Sequence, residues 1–161
     1  MTSGRAQAAS RRAGEILVLS GNCAQSSFAA LTEYLGFEAA DTLKALTPFP
    51  GIGLRGDTCG AVIGCVMAIG MALGRDRLDD GPAMEPSLRA TRRFCRAFET
   101  EFGGTSCRVV LEQGLGSWFD LAQLEAAAAY VEVGGPEYCS RVVTRAVLLA
   151  LEAVEGAAPD R

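Results

Sequence analysis

The chain has 161 residues, a formal net charge of −4, and six cysteines but no histidine. The missing histidine excludes a Ser-His-Asp or Cys-His catalytic site, a Cys₂His₂ zinc site and a CxxCH haem attachment. Lys44 is the sole lysine, and an acidic chain without a large basic block is a poor candidate for nucleic-acid binding. The length predicts a single domain over residues 1–161, with flexible tails at about 1–5 and 156–161.

Helices are predicted along almost the whole chain, because no stretch alternates long enough with the period of two that a strand requires. Most predicted helices begin near Ser, Thr, Asn or Pro and end near Gly. The fold class is therefore all-α, a compact multi-helix bundle around a central apolar helix at about 59–73. In chain order, the predicted helices cover residues 6–19, 23–35, 38–46, 59–73, 86–102, 105–113, 119–132 and 136–155.

The apolar segment 59–73 is a core helix rather than a membrane span in this interpretation. It falls short of the roughly 18–20 residues that a spanning helix needs. Small residues recur in it at every fourth position, from Gly60 to Ala72, and form a ridge on which a neighbouring backbone packs closely. The apolar run near the N-terminus is too short for an export signal, so we expect a cytoplasmic protein with reduced thiols.

Four of the six cysteines fall in the predicted first turn of four different helices. A helix start carries unpaired N–H groups and a partial positive charge, which lower the pKa of a thiol. If these starts converge, they form a site suited to anionic sulfur, either a metal cluster or a reactive thiol pair. The spacing contains no CxxC, so the site must be assembled in three dimensions. The four residues are Cys23, Cys59, Cys107 and Cys139.

The other two cysteines lie in the middle of predicted helices. Cys65 is on the most apolar segment, and Cys95 shares a helical face with Phe98 and Phe102. A free cysteine in such a position usually behaves as a small buried hydrophobe. We therefore assign Cys65 and Cys95 to packing.

The four helix-start cysteines stand in distinctive local sequences. These are Asn22-Cys23-Ala24-Gln25-Ser26, Cys59-Gly60-Ala61-Val62-Ile63-Gly64, Phe102-Gly103-Gly104-Thr105-Ser106-Cys107 and Tyr138-Cys139-Ser140-Arg141-Val142-Val143. With these segments the chain resembles the C_GCAxxG_C_C family of redox proteins over roughly residues 15–155. The resemblance implies redox activity on a helical fold, with the same four cysteines as functional residues. Sequence related to this family is also found attached to haem proteins that carry an iron–sulfur centre. The resemblance therefore favours binding of a cluster by this chain.

The segment 51–56 matches G-x-G-x-x-G, the fingerprint of dinucleotide-binding folds. The prolines before it prevent a central strand, so we expect no nucleotide cofactor. We predict instead a flexible loop that delivers Cys59 to the site. The backbone at Gly53, Gly56 and Gly60 is expected to surround the site, with N–H groups that face an anion.

Two further features concern partners and packing. Arg89, Arg92, Arg93 and Arg96 form a basic patch on one helix, which is either a solvated face or a docking surface for an acidic redox partner. Trp118, with the neighbouring Phe119, is predicted to staple the start of a helix. The sequence is also compatible with a homo-oligomer.

These observations predict a redox protein in which the four helix-start cysteines bind an iron–sulfur cluster, [2Fe–2S] or [4Fe–4S], for electron transfer. No haem is expected, and if the protein is an enzyme it is an oxidoreductase. One alternative is cluster-free thiol–disulfide chemistry, with two of the four cysteines as an attacking and a resolving thiol. Another is a structural Cys₄ zinc site or an interaction module without a redox role.

Overall fold

A computed structural model describes residues 3–157, and within that range it contains nine α-helices and no strand, which confirms the all-α prediction. A short 3₁₀ turn, Pro82–Met84, precedes the sixth helix. The helices are α1 (Gly4–Ser20), α2 (Cys23–Leu35), α3 (Ala40–Ala45), α4 (Gly51–Leu54), α5 (Gly60–Leu73), α6 (Glu85–Phe102), α7 (Cys107–Leu115), α8 (Leu124–Glu132) and α9 (Gly135–Glu155).

The largest differences between the prediction and the structure are at three places, and the other helix boundaries shift by one or two residues at most. The helix predicted over 119–132 begins only at Leu124, because Asp120 forms a turn in which its side chain accepts from the Ala122 N–H. A single tight turn, α4, occupies part of the glycine-rich loop, and its four residues all have positive φ angles rather than the right-handed helical conformation. Residues 4 and 5, predicted as part of a tail, are helical, while residues 1–2 and 158–161 of the predicted tails lie outside the described residues.

The core forms where α5 packs between α2, α6 and α9. The small-residue ridge of α5 explains the close approach to α2, since a Cβ added at Gly64 would fall on the Ser27 hydroxyl and the Ala24 carbonyl. On the opposite side, α6 contributes three phenylalanines at helical spacing, Phe94, Phe98 and Phe102. Their ring centroids lie 6.0 and 4.7 Å apart in sequence order. Interdigitation of this kind buries the apolar face of each helix.

The long C-terminal helix α9 contacts α1, α2, α5, α6, α7 and α8, and ten of its residues are buried. The first residues of α2, α5, α7 and α9 and the last residues of α1 meet at one end of the bundle. This arrangement places the predicted cysteine site at that end. Among residues 3–157, no helix combines the length and the apolar character required to cross a membrane.

Candidate functional site

The starts of α5 and α7 are held side by side. An antiparallel bridge joins Thr58 to Ser106, the residues that directly precede Cys59 and Cys107. The amides of both cysteines donate to carbonyls of the facing segment, at 2.8 Å for Cys59 and 2.6 Å for Cys107. Two cysteines that are far apart in sequence are thus fixed on neighbouring backbone segments.

Cys23 is the first residue of α2 and follows the cap residue Asn22, as predicted. The Asn22 side chain accepts from the Gln25 N–H at 3.0 Å and donates to the Thr47 carbonyl at 3.0 Å, which ties the helix start to the loop after α3. The Cys23 sulfur lies against Gly60, where an added Cβ would fall on it. Gly60 therefore allows the start of α5 to approach the Cys23 thiol.

Cys139 is the fifth residue of α9, because that helix begins at Gly135. It lies past the first turn, so its predicted helix-start position is wrong. The preceding Tyr138 ties α9 to α7, since its hydroxyl donates to the Val110 carbonyl at 3.0 Å. The Tyr138 ring occupies the space left by Gly114, where a Cβ would fall on the ring.

Three of the four cysteines, Cys23, Cys107 and Cys139, line a common cavity of about 100 Å³. The rest of its lining is largely apolar and includes Trp118 and Tyr130. Cys59 is not part of this lining; it is buried, with 6% of its surface exposed. The cavity is the place where the chain brings its predicted site residues together.

The pKa of each of the four thiols is raised, which corrects the prediction that helix starts would lower it. For Cys59, burial raises the pKa to about 11, although the backbone N–H groups of Ala61 and Val62 act in the opposite direction. Burial raises the pKa of Cys107 to about 12, with further contributions from Cys59 and Cys139. The helix-start effect is present but smaller than the cost of desolvating a thiolate.

The pKa values of Cys23 and Cys139 are raised for the same reason as those of Cys59 and Cys107. Burial raises the pKa of Cys23 well above its ordinary value, and charges on Cys59, Cys139 and Cys107 raise it further. Burial also raises the pKa of Cys139, while a hydrogen bond from Tyr130 lowers it. Among residues 3–157, the causes acting on these four thiols do not include an arginine or a lysine. Without a bound cation, the site therefore favours protonated thiols.

The raised pKa of Cys59 predicts that the metal-free protein loses stability as the pH rises from about 9 to about 11. In that range the folded state retains a proton that the unfolded chain releases, so increasing pH favours unfolding. A Cys59→Ser variant, whose hydroxyl does not titrate there, should show a flatter decline of its urea midpoint. Parallel declines in the variant and the unmodified protein would contradict this prediction.

The glycine-rich loop lies against the site, and the Gly53 amide, predicted to face an anion, donates instead to the Pro48 carbonyl. The N–H groups of residues 52–55 and 57 donate to carbonyls of residues 48–51. The loop instead contacts the site through Gly51, where a Cβ would lie 3.5 Å from the Cys107 sulfur. Ile52 and Leu54 have positive φ angles of 49° and 63°, which strain residues with a side chain.

The glycines predicted around the site occupy different places. Gly60 lies against the Cys23 sulfur. Gly56 lies against Trp118, since a Cβ added at Gly56 would be 3.0 Å from the tryptophan ring. Gly53 has open space around it and does not line the cavity. Gly51, which sequence reasoning did not single out, is the glycine of the loop that borders the cavity.

Sequence reasoning also missed two aromatic residues of the site. Trp118 lies in the loop before α8 and borders the cavity, with the Arg108 guanidinium 5.0 Å from its ring. Tyr130 reaches the cavity from α8, and its pKa is raised by burial and by its hydrogen bond with Cys139. No local motif distinguishes either residue, because Tyr130 reaches the site through the packing of α8 on α9, and Trp118 reaches it from a loop and packs its ring against Gly56.

The remaining predicted residues lie outside the cavity. Cys65 is fully buried in α5 and Cys95 is half-buried on α6. The basic patch is exposed along α6, and its members lie between about 9 and 20 Å from the end of that helix at about 1.5 Å per residue. They are Arg89, Arg92, Arg93 and Arg96. The patch is therefore set back from the end of the bundle that holds the cysteines.

In the described part of the chain, no group of three or more His, Cys, Asp or Glu side chains is arranged to hold a metal ion.

The chain matches the family model described as "Putative redox-active protein (C_GCAxxG_C_C)" over residues 21–153, a range that includes all six cysteines. No curated protein and no solved structure matches it.

Proposed function

The chain belongs to the C_GCAxxG_C_C family of redox-active proteins, and from this premise we propose that its four site cysteines hold an iron–sulfur cluster that transfers electrons. The observation that carries the proposal is the convergence of the Cys23, Cys107 and Cys139 thiols at one small cavity. Cys59 is held beside Cys107 by the backbone bridge between Thr58 and Ser106. The four ligands are Cys23, Cys59, Cys107 and Cys139.

The chemistry of the donor set fits such a cluster. Iron–sulfur clusters are ligated by cysteine thiolates, and the site offers four thiols with no histidine anywhere in the chain. Apolar side chains make up most of the remaining cavity wall and keep water from the sulfurs. Since no three donors stand ready for an ion, we expect the cysteine side chains to rotate as the cluster binds.

The protonation of the thiols also favours a ligand role. A redox thiol that attacks a disulfide needs a depressed pKa, usually from a basic neighbour. The pKa values here are raised, so the thiols are poor nucleophiles near neutral pH. A bound iron–sulfur cluster supplies a one-electron carrier and the positive charge that keeps its ligands deprotonated. The chain then contributes the four sulfurs, and Tyr130, which lowers the pKa of Cys139, lies beside them at the cavity wall.

A cysteine pair that cycles between two thiols and a disulfide is the second candidate. It is favoured by the adjacency of Cys59 and Cys107, both of which are free thiols. These two cysteines are diagonal neighbours across the antiparallel bridge, where residues lie about 7–8 Å apart. That spacing exceeds the roughly 4.4–6.8 Å between Cα atoms in a disulfide, so formation of the bond would require movement of the backbone.

Trp118 provides an internal reporter for cluster binding, because it is the only tryptophan and it borders the cavity. Anaerobic addition of ferrous iron and sulfide to the metal-free protein should quench its fluorescence while visible absorbance appears. Cys107→Ser should show neither change. Quenching by zinc alone, with no visible absorbance from iron and sulfide, would favour a zinc site instead.

A further inference from the structure

The outer face of α8 is an apolar surface that no described helix covers. Leu124 is 90% exposed and Val131 is 60% exposed, and Ala128 between them is also exposed. Their spacing of four and three residues places them on one side of the helix. None of the residues of α8 is buried. A contiguous apolar face in solvent marks an interaction surface.

The inner face of the same helix forms part of the wall of the cysteine site. Tyr130 borders the cavity together with Cys139. A protein that docks on the outer face is therefore separated from the site by about one helix diameter, roughly 10 Å. The basic patch of α6, by contrast, is set back along the bundle.

The charge around α8 indicates what kind of partner fits. The segment 109–140, bordered by Arg108 and Arg141, contains five acidic residues and no basic residue, and two of the five, Glu125 and Glu132, are exposed on α8 itself. Within residues 3–157, none of the five forms an ion pair. They are Glu112, Asp120, Glu125, Glu132 and Glu137. An apolar face with acidic residues near it complements a partner surface that is apolar at its centre and basic at its rim.

The same charge disfavours two other occupants. An anionic membrane surface repels an acidic face. A second copy of the chain, packed antiparallel about a two-fold axis, would bring the Glu125 and Glu132 side of α8 to the same side of the contact in both copies. A basic protein is the occupant that lowers the electrostatic free energy of the face.

We propose that the outer face of α8, centred on Leu124, Ala128 and Val131, is the docking surface for a basic electron-transfer protein. The proposal rests on the proposed function. On docking, a reduced iron–sulfur cluster held by the four cysteines would pass one electron to the oxidised partner, with no transfer of atoms. The acidic rim steers the encounter, and the apolar stripe supplies the contact.

The test uses cytochrome c as a lysine-rich probe. The control probe is acetylated cytochrome c, in which the lysine charges are removed. At low ionic strength, titration calorimetry should show binding of the first and not of the second. Glu125→Gln with Glu132→Gln should weaken binding by about tenfold, and Leu124→Ser with Val131→Ser by a similar factor. Asp79→Asn with Asp80→Asn, which removes two charges beyond the far end of α5, should leave binding unchanged.

Unchanged binding in both α8 variants would overturn the docking surface. So would self-association that the α8 variants abolish in sedimentation, because a second copy would then occupy the face. Binding is measured with metal-free and with iron-loaded protein, so it does not depend on electron transfer. Binding to α8 without reduction of the probe by the chemically reduced, iron-loaded protein would uphold the docking surface and refute the proposed function.

Discussion

Cys23→Ser should reduce the iron and sulfide bound per chain to less than about a tenth of the amount in the unmodified protein. The Cys23 sulfur shares the cavity with Cys107 and Cys139, and it lies against Gly60, the residue that follows Cys59. A serine hydroxyl is not deprotonated near neutral pH and is a poor ligand for iron. Loss of one of the four ligands therefore leaves an incomplete set.

The matched control is Cys95→Ser, which removes a thiol that does not line the cavity. We expect this variant to bind the same amount of iron and sulfide as the unmodified protein. Circular dichroism checks that both variants retain their helical content. If Cys23→Ser keeps its iron and sulfide, Cys23 is not a ligand and the four-cysteine site is incorrect.

Gly64→Ala should destabilise the protein by about 3 kcal/mol, although alanine is the better helix former. The added Cβ would fall on the Ser27 hydroxyl and the Ala24 carbonyl and would lie 3.1 Å from the Phe28 nitrogen. Two of these three atoms belong to the backbone of α2, which cannot rotate away. The helix must therefore shift, and the packing between α2 and α5 is lost in part.

Gly70→Ala is the control, since it lies in the same helix with nothing within 4 Å of the added Cβ. It should stabilise the protein by up to about 1 kcal/mol through helix propensity. Urea unfolding measures both free energies. Changes of the same sign in the two variants would show that the close approach of α2 and α5 does not limit stability.

The helices and their caps were predictable because they depend on nearby residues. Asn22 and Ser106 each cap a helix through an amide three residues ahead, a pattern that is visible in the sequence. The small-residue ridge of α5 also predicted a close helix contact correctly. The late start of α8 was not predictable in this way, because the turn at Asp120 competes with a helical pattern.

The details of the site depend on long-range packing and could not be predicted from spacing. The bridge between Thr58 and Ser106 joins segments that are 48 positions apart. Trp118 reaches the cavity through a loop with no recognisable motif. The direction of the thiol pKa shifts was wrong because burial, which only the folded chain determines, outweighs the effect of the helix starts.

Anaerobic purification followed by iron, acid-labile sulfide and zinc analysis tests the central claim most directly. If the four cysteines hold an iron–sulfur cluster, the protein is coloured and contains iron and sulfide in equal amounts, with visible absorbance that bleaches on reduction. A colourless protein without iron or sulfide, whose count of free thiols falls by two on mild oxidation, would contradict cluster binding and establish the disulfide alternative.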